Sequence, residues 1–131
     1  MPEPTHILVA EDEALAAMAM EEFLSCKGFR VTLAPDGMEA LERYRNDPAD
    51  LVITDLRMPR MDGRALVREL RALDAGLPLL VVTGFLSLEP GQDDLTADGW
   101  KPLEILRKPV SPQMLFETVQ RLMAETSGSA D

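Results

Sequence analysis

Three acids, a hydroxyl and an amine stand where short apolar runs stop. Glu11 and Asp12 follow "HILVA", Asp55 follows "LVIT", Thr83 closes "PLLVVT" and Lys108 follows "EILR". Carboxylate oxygens with no Cys or His among them are hard ligands, which select Mg²⁺, or Mn²⁺ in its place, over zinc. Three carboxylates within about 5 Å of one another would repel by roughly 3 kcal/mol per pair at an effective dielectric of 20, and a divalent cation relieves that repulsion. Lys108 and Thr83 suit the oxygens of a phosphate. The reaction such a set favours is attack by one carboxylate, Asp55, on phosphorus to give an aspartyl phosphate, with the cation and Lys108 sharing the charge of the transferring group.

That chemistry requires the five residues to meet, and the pattern of elements brings them together. "HILVA", "FRVTL", "LVIT", "PLLVV" and "EIL" read as strands, of which the first, third and fourth lack acidic or Lys/Arg residues. Helical segments separate them. The first is given a buried face of Leu15, Ala19, Phe23 and Cys26 and ends at Gly28. The second opens on a capping box of Asp36 and Glu39 and buries Ala40, Leu41 and Tyr44. The third is marked by Leu66, Leu70 and Leu73. In the last, Ser111 caps, Pro112 takes the first helical position, and Leu115, Val119 and Leu122 form the stripe. Strands free of charge alternating with helices predict an α/β fold, a parallel sheet covered on both faces. Such sheets build their sites at the carboxyl ends of the strands. Taken singly, each acid is accounted for as a cap or turn residue, Thr83 as a strand-end hydroxyl and Lys108 as a surface charge. Their joint placement on one edge is not.

Composition bounds the alternatives. A chain of 131 residues makes one domain. One cysteine and one histidine exclude a disulfide framework and a Cys/His zinc site. Cys26 reads as a small core residue and His6 as a surface residue ahead of the first strand. No apolar run approaches the ~18 residues of a membrane span and no cleavable leader is evident, so the expected location is the cytoplasm, without membrane insertion. A formal net charge of -10 argues against nucleic acid as a partner. The stretch "TSGSAD" predicts a disordered tail over 125–131 after a domain of 1–124.

The segments "VAEDE", "DLRMPRMDG", "VVTG" and "LRKP", in this order and spacing, resemble the receiver domains of two-component response regulators over about residues 6 to 124. The resemblance implies a doubly wound five-stranded sheet of order 2-1-3-4-5. It implies that Asp55 is the phosphoacceptor, that Glu11, Asp12, Asp55 and the backbone carbonyl of Arg57 hold Mg²⁺, that Thr83 and Lys108 bind the phosphoryl group, and that the bond before Pro109 is cis. A sensor histidine kinase or a histidine phosphotransfer protein would supply the phosphoryl group, and a downstream protein would read it. The chain would then be a single-domain regulator that catalyses only its own phosphorylation and dephosphorylation. A shuttle or sink in a phosphorelay, a constitutive binding module and a small Mg²⁺-dependent phosphatase are the alternatives. The last usually has a second acid two residues after the nucleophile, where this chain has Arg57.

Two departures qualify the resemblance. Ile105 stands where such domains commonly carry Tyr or Phe, so an aromatic switch cannot operate there, and Phe85 is the nearest substitute. The segment Leu86 to Pro102, with Pro90, Gly91, Gly99 and Pro102, reads poorly as the expected fourth helix, which should be short or irregular. "PLLVVTGF" is similar in part to the "FATGY"-like motif of an atypical receiver subgroup. That segment also holds Trp100, the expected reporter of switching.

Overall fold

The computed structural model describes residues 4–58, 60–84 and 102–128. Its elements are β1 (His6–Ala10), α1 (Ala14–Cys26), β2 (Arg30–Ala34), α2 (Gly37–Asn46), β3 (Leu51–Thr54), α3 (Gly63–Leu73), β4 (Leu79–Thr83), β5 (Leu103–Arg107) and α4 (Pro112–Gly128). All four strand pairings are parallel and the order is β2-β1-β3-β4-β5. The expected sheet is thus present. The segment assigned to a short or irregular helix, with Phe85 and Trp100, lies outside the described residues apart from Pro102.

Strand periodicity explains why the sheet is covered on both sides. Alternate residues of a strand face opposite ways. Leu8, Val52, Leu79 and Val81 pack with Ala40, Leu41 and Tyr44 of α2 and Leu66, Val67 and Leu70 of α3. Ile7, Val9, Ile53, Leu80 and Val82 pack with Leu24 of α1 and Leu115, Val119 and Leu122 of α4. Replacing Leu66, fully buried in the first of these cores, with Ala should cost about 2–5 kcal/mol. The check is a lowered denaturant midpoint with an unchanged m value.

Local signals set several element ends as expected. The Asp36 side chain accepts from Glu39 N at 2.8 Å and the Ser111 hydroxyl from Met114 N at 3.1 Å. The chain turns out of α1 at Gly28, whose φ of 97° is a region open to glycine.

Four expectations are corrected. The buried stripe of α1 is Ala17 and Leu24, with Met20 and Phe23 half-buried, while Leu15 is 83% exposed and Ala19 and Cys26 are also exposed. The helix begins "ALAAMAM", apolar all round, so hydropathy does not distinguish its faces. His6 is not on the surface: it is the first residue of β1, a strand flanked by β2 and β3, and is 3% exposed. Its ring nitrogens meet the Thr32 hydroxyl at 2.8 Å and the Pro48 carbonyl at 3.2 Å, which satisfies a buried imidazole. Leu73, the last residue of α3, projects beyond the core and is exposed. Finally, α4 continues to Gly128, through the first part of the stretch 125–131 expected to be disordered.

Candidate functional site

Register brings the strand ends level. Ala10 pairs with Thr54, Thr54 with Val81, and Thr83 with Arg107, so Glu11, Asp55, Thr83 and Lys108 all lie at the carboxyl edge of the sheet. Backbone bonds continue the ladder past the strands and fix the loops. Asp55 N donates to Ala10 O at 3.1 Å, Glu11 N to Ala34 O at 3.0 Å and Lys108 N to Thr83 O at 2.9 Å. The Lys108–Pro109 bond is cis, as the resemblance implies.

The side chains then converge. Glu11, Asp12 and Asp55 each place a carboxylate oxygen within 4.8 Å of the other two. Lys108 Nζ donates to Asp55 Oδ2 at 2.8 Å and to Glu11 Oε1 at 3.1 Å. The remaining oxygens find backbone donors: Arg57 N reaches Asp55 Oδ1 at 3.2 Å and Glu13 N reaches Glu11 Oε2 at 3.1 Å. Glu11 is buried, Asp55 half-buried and Asp12 exposed, so the cluster opens to solvent on the Asp12 side. Thr83 is fully buried at the end of β4. Arg57 is exposed and next but one to Asp55. The four carboxylate and amine groups expected from sequence therefore meet, with Thr83 bonded through its backbone carbonyl to Lys108.

Electrostatics follow from burial and pairing. Burial raises the Glu11 carboxyl above the ordinary carboxylate range; the Glu13 N–H and Lys108 pull it back without cancelling the rise, and the Asp55 charge adds to it. Burial also pulls the Lys108 ammonium down, but its hydrogen bonds to Asp55 and Glu11 outweigh this and hold it above the usual lysine value. With all three acids ionised, the set of three carboxylates and one ammonium carries two net negative charges. An all-oxygen donor set of that charge fits Mg²⁺ or Mn²⁺. A groove of about 540 Å³ adjoins the cluster. It runs between α1 and the turn after β5, lined by Ala16, Met20, Phe23, Val82, Pro109 and Leu115, and shares Glu11 and Lys108 with the site.

Residues that sequence reasoning did not single out complete the frame. Glu13 supplies a backbone donor to Glu11. Gly63 N donates to Leu56 O at 2.9 Å, and Gly37 N to Met61 O at 3.1 Å. The glycines are visible in "PDG" and "MDG" as turn formers, but their close backbone contacts are tertiary and leave no local signal.

A doubly wound sheet with three carboxylates and a lysine gathered at its carboxyl edge is the architecture of a phosphoryl-accepting signalling module. The family model described as "Response regulator receiver domain" matches residues 7–120, and the chain belongs to this family, whose members are typically phosphorylated and bind Mg²⁺ in an acidic pocket. Among relatives, the transcriptional regulatory protein ZraR of Salmonella typhimurium is 36% identical over 120 residues, 92% of this chain and 26% of ZraR. The response regulator MprA of Mycobacterium sp. (strain KMS) is 35% identical over 126 residues, 95% of this chain and 53% of MprA. The chain thus spans about a quarter to a half of the length of these relatives. Among solved structures, a CheY-like receiver domain protein of Methanospirillum hungatei superposes with a TM-score of 0.87 at 25% identity, covering 96% of this chain and 98% of the other. The receiver domain of the hybrid histidine kinase CckA gives 0.74 at 28% identity, covering 90% and 98%. Among the described residues, no helix is long and apolar enough to cross a membrane.

Proposed function

We propose that Asp55 accepts a phosphoryl group from the phosphohistidine of a sensor histidine kinase or a histidine phosphotransfer protein, in the cytoplasm, and that the phosphorylated chain signals by altered docking on a downstream protein. The observation that carries this reading is the Lys108 ammonium on Asp55 Oδ2, with Glu11 and Asp12 alongside. An Asp55 carboxylate oxygen forms the new O–P bond while the bond from phosphorus to the partner's imidazole nitrogen breaks. Lys108, already at Asp55, moves its contact to an oxygen of the incoming group, and Thr83 donates its hydroxyl to another. Mg²⁺, or Mn²⁺, held by Glu11, Asp12, Asp55 and the Arg57 carbonyl, would supply countercharge to the transferring group. The chain acts on no other substrate: it catalyses its own phosphorylation and the hydrolysis that reverses it.

The test is phosphotransfer from purified histidine kinases of the source organism, followed by labelling at Asp55; a protein that no kinase labels, and that acetyl phosphate with Mg²⁺ also leaves unlabelled, contradicts the reading. A second expectation separates the cation from the lysine. Asp12→Ala removes a carboxylate and should weaken Mg²⁺ binding at least about tenfold, whereas Lys108→Ala removes a competing cation from two of the acids and should leave affinity unchanged or tighter. Titration of Mg²⁺ against both variants checks this, and equal losses would contradict the two roles.

A further inference from the structure

The loop between β3 and α3 carries Asp55 at its start and Arg57 within it. Arg60 ties the same loop to the start of α2. Its Nε lies 3.1 Å from Asp36 Oδ2 and its Nη2 3.3 Å from Asp36 Oδ1, a two-pronged pairing with a carboxylate that is itself only 11% exposed. Nη2 also lies 3.7 Å from Glu39 Oε1. Asp36 is the N-cap of α2, and Glu39 is in the first turn of that helix. The neighbouring backbone joins at the same place, since Gly37 N donates to Met61 O, and a Cβ at Gly37 would collide with that carbonyl. The arrangement is held despite a cost: Arg60 has φ of 69°, the left-handed region that a side chain with a Cβ rarely adopts. A guanidinium that forks onto a carboxylate fixes direction as well as distance.

We infer that Arg60 is a positioning residue for the cation site: it clasps the loop to the N-terminus of α2 and thereby holds the Arg57 carbonyl, three residues earlier, where a divalent cation would meet it. The inference rests on the proposed cation role of Glu11, Asp12, Asp55 and Arg57. It assigns α2 a part in the chemistry although that helix supplies no group to the site. Partners one step removed from a metal ligand commonly change metal affinity by about tenfold or more when removed. The same clasp runs in reverse: loading the site with Mg²⁺ should steady the N-terminus of α2.

The test compares Arg60→Gly, Arg60→Ala and Arg60→Lys in the full chain. Glycine takes the left-handed backbone without penalty, so Arg60→Gly relieves any backbone cost while removing the clasp. Mg²⁺ affinity, read by Mn²⁺ competition, should fall on the order of tenfold in both Arg60→Gly and Arg60→Ala, with Arg60→Lys between them and the wild type because it keeps one charge but not the fork. In the metal-free proteins, amide exchange at Gly37 should quicken in the first two variants, with the circular dichroism unchanged. If wild-type protein binds Mg²⁺ through Asp12 and Arg60→Gly binds it equally well, the clasp is overturned and the site stands. If the wild type does not bind Mg²⁺, the site assignment falls and the inference with it.

Discussion

Asp55→Asn should reduce Mg²⁺-dependent labelling by acetyl phosphate to background. The variant keeps the shape of the side chain and an oxygen that can still accept from Arg57 N or Lys108 Nζ, but an amide is not a nucleophile toward phosphorus. The label on the wild-type protein should survive acid and be released by hydroxylamine, as an acyl phosphate is. Asp12 is the exposed acid of the cluster, and label moving there in the variant would be a small fraction of the wild-type amount, because Lys108 contacts Asp55 and Glu11 rather than Asp12. Circular dichroism and thermal unfolding should show the variant folded, which separates loss of chemistry from loss of structure. Full labelling of Asp55→Asn would remove Asp55 from its role and require a different acceptor.

Asp55 is legible as a site residue because the strand pattern and the rule for such sheets lead to the same edge. Charge-free strands imply a covered parallel sheet, and a covered parallel sheet presents its strand ends as the place for a site. Glu11, Asp12, Asp55 and Lys108 are each found by reading one or two residues past an apolar run, and the structure brings them together. The helix faces were less legible where composition is uniform. In α3, apolar and charged residues alternate at helical spacing, and Leu66 and Leu70 are buried as expected. In α1 the first turns are apolar all round, so helical spacing groups Leu15 and Ala19 with Phe23 as readily as it groups Ala17 with Leu24, and the structure buries the latter pair. His6 misled for a related reason: a titratable side chain at a strand start is more often solvated, and its partners Thr32 and Pro48 lie 26 and 42 residues away.

The clasp at Arg60 was illegible for another reason. Positive φ at a residue other than Gly, Asn or Asp has no local sequence signature, and the carboxylate that holds it is 24 residues earlier. Its first neighbours could be read correctly in part: Asp36 does cap α2, but the Glu39 carboxylate, expected to return to the cap, is engaged by Arg43 at 3.4 Å and Arg60 at 3.7 Å. Local rules thus identified the cap and not the loop it anchors.

Gly63→Ala should destabilise the protein by about 3 kcal/mol and lower its melting temperature by about 10 °C. Gly63 is the first residue of α3, after the N-cap Asp62, whose side chain accepts from Ala65 N at 2.9 Å. Its φ is not in the left-handed region, so alanine is acceptable to its own backbone and even favoured in a helix. The obstacle is across the gap. A Cβ there would run into the Asp55 carbonyl oxygen and lie 2.8 Å from Leu56 Cα, both backbone atoms that cannot swing aside as a side-chain end would. Relief requires the chain at 55 and 56 to move away from α3, which breaks the Gly63 N to Leu56 O bond and shifts Asp55 from Lys108. Stability and labelling rate should therefore fall together. Gly76→Ala is the control: in an exposed turn its Cβ would meet nothing closer than Asp74 Oδ1 at 3.8 Å, so stability should change by less than about 1 kcal/mol. If Gly63→Ala melts with the wild type and labels at the same rate, the backbone around Asp55 yields freely, and the rigid frame assigned to the phosphorylation site is wrong.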